Sequence, residues 1–178
     1  MKIETDRLIL REISVVDIPL IHQLNLIPEV DKYNTLGLPE SIVDTENLIH
    51  PLLQAQLEIP RVRYIWAIED TENNFMGLIV INLGKQNYRS AEIWYKQHPN
   101  YWNKGFTAEA VKQILNFCFN ELKLHRVIAG CAVKNIASIK VLEKTGFINE
   151  AHHRKILPIR GQWVDNYEYA ILEEDFLK

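Results

Sequence analysis

The sequence lacks the short motifs that identify several large classes of enzyme. Neither Gly-x-x-x-x-Gly-Lys-Ser/Thr nor Gly-x-Gly-x-x-Gly occurs, so the chain supports neither a P-loop nor a dinucleotide fingerprint. It also lacks His-Glu-x-x-His and any cluster of cysteine with histidine, although His152 and His153 are adjacent. We therefore expect no bound metal, and we interpret the histidines as solvated or packed side chains.

The chain has few cysteines and a small net charge. The two cysteines, Cys118 and Cys131, fall in apolar segments, which favours small core residues over a disulfide or a catalytic pair. The formal net charge of the 178 residues is -3, which provides no basic surface of the kind that binds nucleic acid regardless of sequence. We expect no DNA or other nucleic-acid partner.

Long apolar runs are missing as well. No segment could span a bilayer, and the first residues, Met-Lys-Ile-Glu-Thr-Asp-Arg, are too charged for a secretory signal. We therefore expect a cytoplasmic protein with no membrane partner. Hydrophobic residues make up 47% of the chain, which is enough for the core of one compact domain over residues 1–178.

The middle of the chain reads as a strand, a polar loop and a helix. Ser90 to Lys96 is short, aromatic and β-branched, as strands are, and the loop after it carries Gly105. Apolar residues then recur at spacings of three and four, which predicts a helix over 107–122. Free N–H groups at a helix start can bind an anion such as pyrophosphate. Taken alone, however, one glycine there favours an ordinary strand-to-helix connection.

The remaining pattern predicts a mixed α/β fold. The segments 63–69, 76–84 and 90–96 indicate an antiparallel meander, and the apolar strand 126–133 completes a βαβ unit with parallel strands. Further predictions are a strand at 7–12, helices that begin near Ser14 and Ser41, a helix capped by Asn135 and closed by Gly146, and final strands at 148–157 and 164–172.

Glu92 is a carboxylate inside an otherwise apolar strand. Strand alternation places it on one face with Trp94 and Lys96, while Ile93 and Tyr95 lie on the other face. A carboxylate just upstream of a candidate anion loop is a candidate general base. An exposed strand residue paired with a lysine is an equally good interpretation.

Two motifs together resemble the GNAT acetyltransferase superfamily. They are Trp-Asn-Lys-Gly-Phe-Thr-Ala-Glu-Ala at 102–110 and Asn-Ile-Ala-Ser-Ile-Lys-Val-Leu-Glu-Lys-Thr-Gly-Phe at 135–147. The opening segment 4–11 and the final segment 165–172 are similar in kind and order to its RimJ/RimL-like branch, whose founding members acetylate ribosomal-protein N-termini. The resemblance covers nearly the whole chain.

The resemblance implies a strongly twisted mixed sheet of about seven strands flanked by helices, in which two splayed parallel strands form a cleft for acetyl-CoA. The strand 90–96 and the strand 126–133 would form this cleft. The residues implied in binding acetyl-CoA are Trp94, Tyr95, Lys96, Trp102, Asn103, Lys104, Gly105, Phe106, Thr107, Asn135 and Ser138. Only Gly105 matches the usual Gln/Arg-x-x-Gly-x-Gly/Ala loop to the letter, since Trp102 and Thr107 replace its first and last residues.

The resemblance also implies the chemistry, which is direct attack of a primary amine on the thioester. Glu92 is the expected base, acting directly or through water. Many members protonate the leaving thiolate with a tyrosine seven residues after the asparagine, but Leu142 stands there in this chain. The Rim-like branch has a serine three residues after the asparagine, which Ser138 matches. Leu157 stands near the position where ribosomal-protein acetylating members can carry a glutamate, so the identity of the base stays open.

These inferences lead to an acetyl-CoA-dependent N-acetyltransferase whose acceptor is a protein N-terminus or a small-molecule amine. A catalytically silent acyl-CoA-binding module on the same fold is the alternative, although such a module would not need both Ser138 and Glu92. A transferase acting on aminoacyl-tRNA is weaker, because no basic stripe is present. The final strand could contribute to a homodimer, and the loops 31–40 and 158–163 are expected to decide the acceptor.

Overall fold

The computed structural model describes residues 1–176, in which two strands and three α-helices precede a run of three strands, and helices and strands are interspersed after it. The strands are β1 (Lys2–Glu4), β2 (Leu8–Glu12), β3 (Arg63–Asp70), β4 (Phe75–Leu83), β5 (Ser90–Gln97), β6 (Arg126–Ala132), β7 (Ile148–Ile159) and β8 (Gln162–Leu172). The helices are α1 (Ile18–Asn25), α2 (Pro28–Asp31), α3 (Ile42–Ala55), α4 (Phe106–Asn116), α5 (Ile136–Lys144) and α6 (Glu173–Phe176).

Over residues 1–176, eight strands form one mixed sheet in the order β1-β2-β3-β4-β5-β6-β8-β7. The strands β3 to β5 form the predicted antiparallel meander, β1 and β2 extend it with antiparallel pairing, and β5 and β6 are the parallel pair joined by α4. The mixed α/β fold with a parallel central pair is therefore confirmed. The short strand β1, which the sequence pattern did not indicate, is the eighth.

The parallel pair separates soon after it begins. Ladder pairing between β5 and β6 joins only 90–92 to 126–128. Beyond this point β5 continues to Gln97 along β4, and β6 continues to Ala132 along β8. The two strands therefore diverge, and their facing backbone edges leave a V-shaped cleft whose apex lies at Glu92.

The two faces of the sheet are covered by different helices. One buried cluster packs α4 and α5 against the sheet through residues such as Val111, Ile114 and Leu142. The other packs α1 and α3 against it through residues such as Ile21 and Ile49. The cleft between β5 and β6 can therefore be approached from two chemically different sides.

The predicted helix ends are present. Asn135 caps α5, and Gly146 follows it with a φ of 94° and is succeeded by the buried Phe147. The helix predicted over 107–122 is α-helical only to residue 116 and continues as a five-residue π-helical segment. Pro51 lies inside α3 without splitting it. Within residues 1–176 the strand β8 is paired on both sides and the sheet edges are β1 and β7, so any contribution of β8 to a homodimer, which stays a prediction, would not come from a free edge.

The helices are short. Across residues 1–176 none is both long and apolar enough to cross a membrane.

Candidate active site

The loop between β5 and α4 ends at a left-handed glycine. Gly105 has a φ of 82° and is the N-cap of α4, and its carbonyl accepts the first helical hydrogen bond from Glu109 N at 3.1 Å. A residue with a Cβ would be strained at this φ. The N–H groups of the first turn, at 106–108, precede the first i−4 acceptor and are therefore free for a ligand. The helix start has the geometry of an anion site.

Arg7 fixes this loop from the N-terminal segment. Its Nε donates to Glu109 Oε2 at 2.8 Å, its guanidinium also bonds the carbonyl of Lys104 at 3.3 Å, and it lies 4.6 Å from the ring centroid of Phe106. Thr5 Oγ1 donates to the other oxygen of Glu109 at 2.6 Å. The residues before β2 therefore connect the loop to the first turn of α4.

The side chains of Trp102 and Thr107 are engaged by the protein. Trp102 Nε1 donates to the carbonyl of Gln97 at 2.7 Å, and Thr107 Oγ1 donates to Gln97 Oε1 at 2.5 Å. These two contacts leave the main chain of the loop, rather than these side chains, to face an anion. Because main-chain groups would bind the anion, the loop can carry Trp102 and Thr107 in place of the usual first and last residues.

Trp94, Tyr95 and Lys96 all lie on the part of β5 that has left β6. Their ladder partners are on β4 alone, so the opposite edge of this stretch faces the cleft. An extended ligand can pair with such an edge as an additional strand would. The structure thus brings together the strand, loop and helix residues that the sequence nominated.

A hydrogen bond between side chains crosses the cleft. The Asn135 Oδ1 atom accepts from Ser138 N at 3.2 Å, which fixes the first turn of α5. The hydroxyl of Ser138 then lies 2.9 Å from Tyr95 Oη. The sequence had nominated Tyr95 only for its main chain, and nothing in the local pattern indicated this contact.

The surroundings of Ser138 are poorly solvated. Burial raises the pKa of Tyr95 well above its ordinary range, an effect that the hydrogen bond with Ser138 partly opposes. Burial also raises the pKa of the nearby Cys131 thiol. Both groups are therefore uncharged at neutral pH, and Ser138 lies among neutral neighbours that can support a hydrogen bond to a buried anion.

Glu92 lies at the apex of the cleft on the opposite face. It is the last residue of β5 that pairs with β6, and its side chain is exposed. Glu92 and Ser138 therefore flank the cleft from different sides of the sheet. Glu92 is exposed on one side of the cleft, and the half-buried Ser138 lies on the other.

Lys96 projects from the same face as Glu92 into a small polar group. Its Nζ donates to Asn25 Oδ1 at 2.9 Å, at the C-terminal end of α1. Burial lowers the pKa of Lys96, and the charge of Asp31 opposes this shift. The side chain of Lys96 therefore points toward α1 and α2, while its main chain borders the cleft.

Asp31 and Arg160 form an ion pair on this side of the cleft. Arg160, in the turn between β7 and β8, donates to the carbonyl of Pro28 at 3.2 Å and approaches Asp31 Oδ2 at 3.5 Å. This contact joins α2, beside β5, to a hairpin that lies beyond β6. The loops 31–40 and 158–163, predicted to decide the acceptor, meet here, but their individual residues Asp31 and Arg160 were not singled out.

Comparison with known proteins identifies the chemistry of this arrangement. Residues 7–148 match the family described as the acetyltransferase (GNAT) domain. The chain belongs to the GNAT acetyltransferase family.

Relatives and solved structures of GNAT enzymes align over nearly the full chain. The uncharacterized N-acetyltransferase YnaD of Bacillus subtilis (strain 168) is 34% identical over 99% of each chain. A crystal structure of a GNAT-family acetyltransferase from Bacillus anthracis is 32% identical, with a TM-score of 0.84 over 98% of this chain and 99% of that one. The spermidine N-acetyltransferase from Vibrio cholerae, in complex with CoA and spermine, is 26% identical, with a TM-score of 0.86 over 98% of this chain and 100% of that one.

The residues of this GNAT chain fit acetyl-CoA. The left-handed Gly105 exposes N–H groups at the start of α4, and the free edge of β5 at Trp94 to Lys96 offers main-chain groups to an extended arm. These features suit a pyrophosphate followed by a pantetheine. Among residues 1–176 no group of three or more His, Cys, Asp or Glu side chains is placed to hold a metal ion.

Proposed function

We propose that this GNAT enzyme transfers the acetyl group of acetyl-CoA to a primary amine by direct attack, and that it belongs to the RimJ/RimL-like branch. The observation that carries the proposal is the position of the Ser138 hydroxyl. It lies at the divergence of β5 and β6, hydrogen-bonded to Tyr95, where a thiolate would leave. Leu142 is buried in the core and offers no polar group in place of the tyrosine of other GNAT enzymes.

Main-chain groups supply binding and charge stabilisation. Acetyl-CoA provides an activated thioester. The N–H groups at the start of α4 hold its pyrophosphate, and the free edge of β5 holds the arm that carries the thioester. Main-chain N–H groups near Trp94 and Tyr95 stabilise the oxyanion that forms on attack. The Asn135 amide nitrogen is free to bond the same arm, because only its oxygen is used in capping α5.

Ser138 stabilises the leaving thiolate. Its hydroxyl has one hydrogen to donate, and it can accept a hydrogen bond from the Tyr95 phenol at the same time. Hydrogen bonds arranged in series polarise one another, so the Tyr95 bond strengthens donation by Ser138. The neutral, buried surroundings raise the value of this interaction.

Glu92 accepts the proton of the acceptor amine, directly or through water. The α4 and α5 side of the cleft is occupied by the core and by Ser138, so the acceptor approaches from the side of α1 and α2, where Glu92 is exposed. Attack from this side is opposite to the leaving group. The acceptor is a protein N-terminal amine or a small-molecule amine, and a related enzyme from V. cholerae acts on spermidine.

The proposal is tested by measuring free thiol released from acetyl-CoA in the presence of N-terminal peptides, spermidine, amino sugars and amino acids. CoA binding is measured by calorimetry in parallel. Turnover of any acceptor establishes the transferase. Tight CoA binding without turnover on the whole panel would favour a silent acyl-CoA-binding module, and absence of CoA binding would remove the proposal altogether.

A further inference from the structure

The acceptor side of the cleft carries charges of both signs, of which Arg160 and Asp31 form an ion pair while Lys96 is left without a carboxylate partner among residues 1–176. The ammonium of Lys96 is within range of the electrostatic influence of Asp31, yet these two described residues form no ion pair with each other. The ammonium has three donors, of which one is used by Asn25. Asp31 is 3% exposed, and its Oδ1 atom is buried without a hydrogen-bond partner. A buried carboxylate oxygen in this condition is a binding group for a ligand N–H.

The three residues Lys96, Arg160 and Asp31 hold one more cation than anion, and Glu92 at the apex of the cleft adds a carboxylate on the same face. Lys96 and Arg160 supply two cations, and Asp31 supplies one anion. A polyamine would place additional ammonium groups beside these cations, which is unfavourable. A peptide N-terminus has an amide in place of the α-carboxylate, so the carbon that bears its amine offers no anion to Lys96. An acceptor whose amine and carboxylate lie close together can place its amine beside the negative charge of Asp31 and its carboxylate beside the positive charge of Lys96.

We infer that the acceptor is an α-amino acid, whose carboxylate binds Lys96 with support from Arg160 and whose amine is oriented by Asp31 Oδ1. The inference rests on the proposed acetyl transfer and names its substrate class. Lys96 and the cleft-lining main chain of Trp94 are two residues apart on β5, so the bound carboxylate lies close to the reacting thioester. The buried position of Asp31 and the hydrogen bond that Lys96 donates to Asn25 Oδ1 hold both charges before the substrate arrives.

Matched pairs of acceptors isolate the role of the carboxylate. Wild-type enzyme is assayed with the twenty L-amino acids, and the pairs leucine and isoamylamine, phenylalanine and phenethylamine, and histidine and histamine are compared directly. Spermidine and a tripeptide amide are included. We expect at least one amino acid to exceed its matched amine, spermidine and the peptide by tenfold or more in kcat/KM.

Two variants at one position test whether Lys96 is responsible. Lys96→Met is expected to raise KM for the preferred amino acid at least tenfold and to leave KM for the matched amine within about twofold. Lys96→Arg, which retains the charge, is expected to recover part of the loss. Lys85→Met, a lysine outside the site, is the matched control and should behave as wild type. Calorimetric acetyl-CoA affinity and the melting temperature identify any variant that has lost its fold.

The outcomes separate this inference from the proposed function. Preferred turnover of spermidine or the peptide, or equal turnover within the matched pairs, overturns the amino-acid class and leaves the transferase intact. An equal rise in KM for both members of a pair in Lys96→Met also overturns it. Acetyl-CoA binding without turnover of any amine overturns the inference and favours the silent module, and absence of acetyl-CoA binding overturns both proposals.

Discussion

Tyr95 Oη and Ser138 Oγ lie 2.9 Å apart, so that a side chain of β5 and one of α5 meet by a hydrogen bond across the cleft. The two residues are 43 positions apart in the chain. Burial raises the pKa of Tyr95, so its phenol keeps its proton at neutral pH and can donate to Ser138. This contact restricts the orientation of the serine hydroxyl, which in the proposed mechanism stabilises the leaving thiolate.

Replacing Ser138 by alanine removes the donor to the thiolate. We expect Ser138→Ala to lower kcat by an amount on the order of 2 to 4 kcal/mol in activation free energy, because one transition-state hydrogen bond is lost. The affinity for acetyl-CoA should stay within a few fold. Steady-state kinetics and calorimetry measure the two quantities, and an unchanged kcat would exclude Ser138 from the mechanism.

Replacing Tyr95 by phenylalanine keeps the ring and removes the hydroxyl. We expect kcat to fall by about 1 kcal/mol in activation free energy, which is the typical value of one hydrogen bond. If Tyr95 acts through Ser138, the loss should largely disappear in the Ser138→Ala background, and a double-mutant cycle on kcat measures this coupling. Tyr88→Phe, at an exposed tyrosine, is the control. Fully additive losses would show that Tyr95 acts independently.

Glu92 is the accessible carboxylate at the apex of the cleft. Glu92→Gln preserves the shape of the side chain and removes its basicity, so kcat/KM should fall by roughly 100-fold or more if Glu92 takes the amine proton. Glu58→Gln, at an exposed glutamate after α3, is the matched control. If Glu92→Gln were as active as the wild type, a group other than Glu92 would have to act as the base.

Arg7 holds the loop that presents the N–H groups of α4. Arg7→Met removes its bonds to Glu109 and Lys104, and we expect the Kd for acetyl-CoA to rise about two- to fivefold, as suits a largely exposed ion pair. Lys2→Met, which removes the exposed pair with Glu4, controls for charge in the N-terminal segment. Calorimetry gives both affinities, and identical values would show that the loop keeps its conformation without Arg7.

Asp17 gives the fold a defined pH dependence. Burial alone raises its pKa, but hydrogen bonds from Arg11 and from the Ser14 main chain outweigh this effect and hold the pKa below its usual value. A carboxylate with a depressed folded-state pKa contributes stability above its unfolded pKa of about 3.9 and loses it as the pH falls through the folded-state value.

Asp17→Asn should therefore lower the free energy of unfolding by about 1.5 kcal/mol at pH 7, because charge-assisted hydrogen bonds are lost while Arg11 keeps Glu69 as its other partner. The difference from wild type should shrink as the pH falls below 4. Urea unfolding at several pH values measures it, with Asp6→Asn as an exposed control. A difference that does not depend on pH would contradict the assignment.

Much of the fold and part of the candidate site could be read from local sequence. Strand alternation, helical periodicity and capping residues predicted the meander, the parallel pair and the Asn135 cap, because these depend on neighbours within a few positions. Local pattern also placed Gly105 at a helix start, whereas the roles proposed for Gly105 and Ser138 came from the resemblance of the two motifs to GNAT enzymes. The strand β1 was missed, because three residues are too few to show alternation.

Only the tertiary structure decided which side chains meet. Tyr95 with Ser138, Lys96 with Asn25 and Asp31 with Arg160 are joined across 43, 71 and 129 residues. Periodicity gives the face on which a residue lies, but its partner depends on how the sheet twists and on which helix covers that face. The sequence by itself thus determined the elements and the acetyl-CoA motifs, and the packing of distant segments determined the acceptor side, where charges from α2, β5 and the last hairpin converge.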